Sequence, residues 1–571
     1  MLPASKDALQ EKFVFVGGPT LDAKSSNVRS VLLRRVLRER RAKRQKNAAE
    51  ILESKLSKRS TAQSSCAVDA NQDAQLEATG YPLIRPRKTQ GTQTVCFHGS
   101  QNRSSKCGGL LADNQRYLPD PHLFGAGRRD PLLPVDARAA RLKIHELLDF
   151  TTTTIWARFR QLDYPGNCYR AWVLPFDNDL QLYSVLWSSS YHRDILRVTN
   201  GAIVPKLDSQ EQLELRLLAL RALQREIANV SDTTSPDSLV MCMLFLAVND
   251  ERNTRIFRDL SPFSPPFVSL QLLDFYGSRD YHPLHWNMLH DTVRRFGGIE
   301  SLQTFALPWL LTLAALMRSA QTLARPIYPI VGVAGKPLDL QSPSFLFQPR
   351  GYSDPFKKVG SGFHELLTMW PPVRQEVVQV LIDLGQYSRV VQYYSAVICS
   401  PDVLDLLGDC RNAVHHRLLS LPKEEDLTES YLQYTEQDDA ENELSREIYL
   451  TCRLAAVLYA LHVTFPLPRT QQIRELTLDA LEARIARLCA LNSSGPVVLW
   501  CAAVAISMLG DDPPNRLIAY MAHLIADTGV DTLDKLIDML QTFAWVDAAV
   551  QDSWKGMWTR RFFSSQPATH I

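Results

Sequence analysis

The sequence lacks several features that would assign a chemistry or a compartment. None of its ten cysteines forms a C-x-x-C pair, which excludes the common zinc sites built on such pairs. Ten cysteines in 571 residues, with Cys242, Cys452, Cys489 and Cys501 inside apolar helical patterns, are typical of buried thiols rather than of a disulfide framework. We therefore expect an intracellular protein.

Long apolar runs are also scarce. The N-terminus has no apolar core of signal-peptide length, and the most apolar stretch, Val497 to Leu509, is too short to cross a bilayer. We expect no secretory or membrane targeting. The composition, with 45% hydrophobic and 22% charged residues, is that of a globular chain long enough to bury a large core.

Three segments resemble catalytic motifs, but each lacks a required residue or the required spacing. A zinc-protease helix needs a second histidine four residues after the first, and His145-Glu146 lacks it. The stretch Gly332 to Pro337 has too few residues between its glycines for a phosphate-binding loop, and Gly360-Ser361-Gly362 lacks the spacing of a serine elbow. We predict no catalytic residue, no cofactor and no enzymatic activity.

Histidines and cysteines come close together in three places. These are His282, His285 and His290; His415 and His416; and Cys96, His98 and Cys107. His285 and His290 differ by five positions and so do not share a helical face, while the adjacent His415 and His416 point to different sides of a helix. The cysteine group lacks a fourth ligand and lies in a polar stretch. We predict no metal site, and core packing for at most one histidine of the adjacent pair.

Positive charge is concentrated near the N-terminus. Residues 24 to 59 contain thirteen Lys or Arg and three Glu, so this segment carries +10 while the rest of the chain carries −8. The segment contains no Pro or Gly, and Arg34, Arg38 and Arg41 lie on one side of a predicted amphipathic helix. This concentration of charge predicts attraction to a polyanion or to an acidic binding groove.

The basic segment predicts a nuclear import signal bound by an import carrier, or a nonspecific contact to DNA phosphates. We favour import over sequence-specific DNA reading, because Ile51 and Leu56 do not continue a leucine heptad that would dimerise a basic helix. A solvated charged helix with neither role stays open. The predicted contact residues are Arg34, Arg35, Arg38, Arg40, Arg41, Lys43, Arg44 and Lys46.

The remaining chain divides into a polar stretch and a helical body. Residues 61–135 lose hydrophobic periodicity and predict a mostly disordered linker between the basic segment 1–60 and residues 136–571. The body predicts an all-α, irregular array of many helices without a fixed-period repeat. Expected helix starts are Ser235-Pro236-Asp237 and Ser400-Pro401-Asp402, each with a capping serine, and expected helix ends are Gly297-Gly298 and Gly510.

Several segments of the body occur in an order that resembles the fungal-specific transcription-factor domain, a helical regulatory domain. They are HWNML with RFGGI (285–289, 295–299), NAVHHRLLSLP (412–422), CRLAAVLY with FPLP (452–459, 465–468), and FAWVD with Trp554 to Trp558 (543–547, 554–558). At the front, Phe13 to Val16, Pro19 and Val28 to Ser30 resemble the subgroup that lacks a binuclear zinc cluster. The absence of C-x-x-C agrees with that subgroup.

The resemblance implies a nuclear transcriptional regulator, with other regulators or a second copy of itself as partners. Because many members of the family lie beside biosynthetic genes, the resemblance also implies control of a secondary-metabolite gene cluster. Two alternatives stay open at this point. One is an all-helical isoprenoid-type enzyme, because Asp438-Asp439-Ala440-Glu441-Asn442 loosely resembles a magnesium-binding acidic motif. The other is a helical scaffold that does not bind DNA.

Overall fold

The computed structural model describes the helical body and not the N-terminal segments. The described residues are 142–175, 178–201, 209–230, 235–249, 256–347, 359–426, 431–433, 439–510 and 513–563. All of them belong to a single compact unit. The predicted basic segment, 1–60, and the predicted linker, 61–135, lie outside the described residues.

Helices make up nearly all regular structure in the described residues. Those of seven residues or more are α1 (Ile144–Phe150), α2 (Tyr164–Trp172), α3 (Asp179–Thr199), α4 (Gln210–Ala228), α5 (Asp237–Val248), α6 (Pro283–Arg295), α7 (Leu307–Thr322), α8 (Gln375–Ser395), α9 (Pro401–Leu419), α10 (Asp439–His462), α11 (Gln471–Ala490), α12 (Pro496–Leu509), α13 (Asn515–Asp527), α14 (Leu533–Gln541) and α15 (Asp552–Trp558). Apart from three isolated bridges, no β structure occurs in this part of the chain. The all-α prediction is confirmed.

Shorter helical turns fill several connections. The α-helical turns are Ala157–Phe159, Leu273–Tyr276, Pro343–Leu346 and Glu365–Thr368; the 3-10 turns are Leu270–Leu272, Ile299–Ser301, Ser361–His364 and Asp547–Ala549; the π-helical turns are Thr151–Trp156 and Thr559–Phe563. The first π turn follows α1 within a run of four threonines. Thr152 and Thr153 donate hydroxyl hydrogen bonds to the carbonyls of Leu148 and Asp149. Such side-chain bonds compete with the regular ladder and favour irregular helix geometry.

The expected helix boundaries are confirmed, with one correction. Helices α5 and α9 begin at Asp237 and Pro401. Helix α6 ends just before Gly297 and Gly298, and α12 ends before Gly510; all three glycines have a positive φ that other residues adopt at a cost. The predicted serine cap of α9 is wrong, because the Ser400 side chain makes no capping hydrogen bond. Proline at the first helical position, with its fixed φ, remains the local start signal.

Two helices form the centre of the core because they are apolar on every side. Nearly all side chains of α5 and of α12 are buried, as expected for helices without a polar face. Helix α5 packs against α3 and α6, whereas α12 packs against α10 and α13. Helices α8 and α9 pack together, and α7 contacts α9 between these two groups.

The sequence predicted that four cysteines in apolar helical patterns are buried. Cys242, Cys452 and Cys501 are buried, as predicted, but Cys489 is exposed. The prediction for Cys489 was wrong because this residue lies on the outer side of α11, near the end of the helix.

None of the described helices combines the length and the apolar character that crossing a membrane requires.

Candidate functional site

Most of the residues predicted to carry function lie outside the described part of the chain. This holds for the basic set from Arg34 to Lys46, for the group Cys96, His98 and Cys107, and for Asp438. Helix α10 begins at Asp439, but the side chains of its first residues are not described. The candidate sites that the structure can place are therefore in the helical body.

His282, His285 and His290 surround the start of α6 without forming a ligand set. The rings of His282 and His285 lie 4.5 Å apart, whereas His290 packs edge-on against Trp286 and hydrogen-bonds through Nδ1 to the Tyr328 hydroxyl. Burial and the nearby Arg294 lower the pKa of His290 to about 4. Across the described residues, no group of three or more His, Cys, Asp or Glu side chains is arranged to hold a metal ion.

His415 and His416 diverge on α9, as predicted. His415 is buried, with Nδ1 at 2.6 Å from the Arg411 carbonyl and Nε2 at 2.8 Å from the Thr464 hydroxyl. Burial lowers its pKa to about 3, so the ring is neutral at physiological pH. His416 lies on the other side and contacts the Tyr328 carbonyl at 2.8 Å through Nε2. Both rings have structural partners.

His415 belongs to a buried polar network that joins α9 to two other segments. Arg411 donates to Gln271 Oε1 at 2.8 Å and to the Leu270 carbonyl at 3.0 Å, and Asn412 donates to the same Gln271 oxygen at 2.9 Å. The Arg411 guanidinium also lies over the Phe465 ring, 5.1 Å from its centre. Because burial disfavours its charge, the pKa of Arg411 is lowered to about 10. The network fixes the relative positions of three distant segments.

Sequence reasoning missed Gln271, the acceptor at the centre of this network. Gln271 and the following Leu272 both adopt positive φ angles, of 53° and 56°. No local pattern signals that conformation, because neither residue is Gly or Asn. The neighbouring Gly408 of α9 leaves space for the Gln271 amide, and a Cβ at this position would collide with it.

An aromatic cavity lies between the first helices and α7. It has a volume of about 40 Å³ and is lined largely by aromatic and aliphatic side chains, among them Trp156, Trp172, Tyr276 and Tyr281. Space of this size holds a few water molecules or one very small apolar group. It is far below the several hundred Å³ of a typical cofactor or drug-sized ligand site.

The outer surface of α4 offers a larger feature. A groove of about 660 Å³ runs between α3 and α4, lined by Asp179, Tyr183, Leu218, Arg221, Gln224, Arg225 and Ala228. Beside it, Leu213 and Leu217 leave 47% and 46% of their area exposed. The sequence carried a signal for this surface, since α4 has more leucines than one buried face accommodates.

Residues 161–557 match the family model described as the fungal specific transcription factor domain. The chain belongs to this family. The match covers more than half of the chain, and the recognition made from the motifs is confirmed. No curated protein and no solved structure matches the chain significantly.

The segments that carried the resemblance are core elements of the fungal transcription factor domain. Trp545 stacks on Tyr459 with their ring centres 6.2 Å apart, and Trp554 packs on Trp558 at 4.4 Å. The Phe465 ring lies 5.1 Å from the His415 ring. These motifs therefore maintain the packing of the domain. The membership makes the chain a fungal transcriptional regulator.

Proposed function

We propose that this chain acts in the nucleus as a transcriptional regulator, with residues 1–60 as a basic import segment, 61–135 as a linker and 136–571 as the regulatory body. The observation that supports it most is the family match over residues 161–557. The charge difference, +10 on residues 24–59 against −8 elsewhere, agrees with separate roles for the two ends. In this proposal the body binds other regulators or a second copy of the chain.

The import role is carried by the run from Arg38 to Lys46. Replacing its six Lys and Arg residues by Gln in a fluorescent fusion should abolish nuclear accumulation. The matched control replaces Lys55, Lys58 and Arg59, which lie in the same basic segment but outside the compact run. Equal nuclear accumulation of the fusion with the neutralised run would overturn the import role.

A second role for the same segment is nonspecific contact with DNA phosphates. Each phosphate contact releases counterions and adds roughly 0.9 to the slope of log affinity against log salt concentration. Replacing Arg34 and Arg35, which lie outside the import run, by Gln should reduce this slope by about 2 in binding to random duplex DNA. An unchanged slope would show that these two arginines do not contact DNA phosphates.

We also propose that the body carries out no catalysis. Arg411 and His415, two buried polar side chains of the described body, hydrogen-bond to other protein groups. The variant Asp438→Ala with Asp439→Ala tests the isoprenoid-type alternative. A product that forms from a prenyl diphosphate, with release of diphosphate, in the presence of the parent chain but not of this variant would contradict a purely regulatory role.

Control of a secondary-metabolite gene cluster is the finer proposal, and it rests on the habit of the family. It predicts that transcripts lost on deletion of the gene come mainly from neighbouring genes of one biosynthetic locus. Changed transcripts scattered over unrelated loci would agree with a role as a transcriptional regulator but would contradict control of one gene cluster.

A further inference from the structure

The outer stripe of α4 consists of Leu213, Leu217, Leu220 and Gln224, spaced at alternating intervals of four and three residues. This spacing places the four side chains along one line of a helix, as at the contact positions of paired helices. Leu213 and Leu217 are about half exposed, and Gln224 is exposed. Leucine is costly to leave in water, so a second apolar line on the outside of α4 calls for a partner.

The inner face of α4 already has its partners. Leu215, Ala219, Ala222, Leu223 and Ile227 are buried, and the helix packs against α3 and α5. The outer stripe is therefore an additional apolar line and does not belong to the core of the body.

Two oppositely charged residues beside the outer stripe identify the partner. Glu214 lies in the first half of α4, and Arg221 lies in the second half. Glu214 and Arg221 are seven residues apart and therefore flank the outer stripe on the same side. Two such helices in antiparallel orientation place Glu214 of each beside Arg221 of the other. In a parallel orientation this flank would face the other flank of the second helix, so Glu214 and Arg221 would not meet.

The position of the charges along α4 sets which of them would meet across a two-fold axis. Glu211 and Arg225 lie near the ends of the helix, where they form ion pairs with Lys143 at 2.8 Å and with Asp179 at 3.2 Å. Glu214 and Arg221 lie nearer the middle of the stripe, at almost equal distances along the helix from Leu217. A two-fold axis near Leu217 therefore brings Glu214 of one copy close to Arg221 of the other copy.

We propose that the outer stripe of α4 is a self-association surface, on which a second copy of the chain packs its own α4 in antiparallel orientation. The two-fold axis passes near Leu217, which contacts Leu217 of the second copy. Gln210 lies opposite Gln224, and two Glu214–Arg221 pairs flank the contact. The interface is isologous, as in most homodimers. The proposal rests on the described body alone and is independent of a role in transcription.

The decisive experiment reverses the two charges separately in the full-length chain and measures mass by analytical ultracentrifugation over a concentration series. The parent should form a concentration-dependent dimer. Glu214→Arg alone places arginine against arginine, and Arg221→Glu alone places glutamate against glutamate, so each should weaken self-association roughly tenfold or more through two symmetric pairs. Circular dichroism should show the same helical content in both variants.

Mixing the two variants distinguishes a second copy from any other partner. In the mixture, the introduced arginine of one chain meets the introduced glutamate of the other, and the native Arg221 of the first chain meets the native Glu214 of the second. A heterodimer should therefore form at the concentration where the parent dimerises. Leu217→Glu should abolish the dimer in every combination. The double change Glu214→Arg with Arg221→Glu on one chain should restore self-association.

Matched controls use exposed positions on other helices. Asp291→Arg and Arg294→Glu on α6 reverse charges of comparable or greater exposure, and Leu476→Glu on α11 replaces a leucine that is 66% exposed. None of these should change the dimer. A monomeric parent over the whole concentration series, or single charge variants that dimerise as the parent does, would overturn the proposal.

Discussion

Arg160 Nη1 lies 2.7 Å from Asp409 Oδ1, although 249 residues separate the two in sequence. Both side chains are largely buried, with 11% and 14% of their area exposed. Asp405, one turn earlier on α9, approaches the same guanidinium at 3.3 Å. This ion-pair group joins the end of the first helical segment to α9, and it brings two carboxylates together around one guanidinium.

Replacing Arg160 by Met should destabilise the body strongly. The variant keeps much of the side-chain volume but leaves two buried carboxylates without this cation, which typically costs about 3–5 kcal/mol. Urea denaturation followed by circular dichroism measures the loss in free energy of unfolding.

The control for Arg160 is Arg158→Met, which removes a more exposed ion pair. Arg158 and Asp274 lie 2.7 Å apart, with 35% and 34% of their side chains exposed. Solvent-exposed pairs contribute about 1 kcal/mol or less. Equal losses for the two variants would contradict the structural role assigned to Arg160.

His415 should make the stability of the body depend on pH below neutrality. Burial lowers its pKa to about 3, against about 6.5 in an unfolded chain. The unfolded state therefore takes up a proton first, and the contribution of His415 is fully present above pH 6.5 and is lost as the pH falls from 6.5 toward 3. The slope from this group is at most about 1.4 kcal/mol per pH unit.

The variant His415→Gln tests this contribution. It should have a lower free energy of unfolding at pH 7, by about 1–3 kcal/mol, because hydrogen bonds within the buried network are lost. The difference from the parent should shrink as the pH falls from 6.5. The buried His462, whose pKa is also lowered to about 3, cancels in this comparison. A difference that stays constant between pH 7 and pH 4 would show that His415 is not held neutral.

The sequence predicted the helical class, several helix boundaries and the family, because these depend on local periodicity and on short motifs in order. Helix starts at Asp237 and Pro401 and ends before Gly297 and Gly510 follow from the conformational preferences of proline and glycine. The Ser400 cap and the burial of Cys489 were wrong, since both depend on which way a side chain faces in the folded body.

The buried network and the ion-pair group could not be predicted. Gln271 and Arg411 are 140 residues apart, and Arg160 and Asp409 are farther apart still. These residues meet only through tertiary contacts, which a short stretch of sequence does not reveal. The predicted import residues, from Arg34 to Lys46, lie outside the described residues and stay a prediction.

Two glycine substitutions should change stability in opposite directions. In Gly385→Ala on α8, the new Cβ would collide with the backbone carbonyl of Phe543 and lie 2.8 Å from Gly360 Cα. We expect a loss of about 1–3 kcal/mol, because backbone atoms on both sides must move.

The matched substitution is Gly166→Ala on α2, where a Cβ meets nothing within 4 Å. It should stabilise the body by about 0.5–1 kcal/mol, because alanine loses less chain entropy than glycine in a helix. Thermal unfolding of the two variants checks both signs. Stabilisation by Gly385→Ala would refute the close packing of α8 against the Phe543 segment.

Chromatin occupancy of the tagged protein, compared with transcript changes after deletion of its gene, tests most directly whether the chain regulates transcription. Occupancy should be concentrated at promoters whose transcripts change on deletion. Absence of occupancy at such promoters, together with an unchanged transcript profile, would contradict regulation of transcription by the chain.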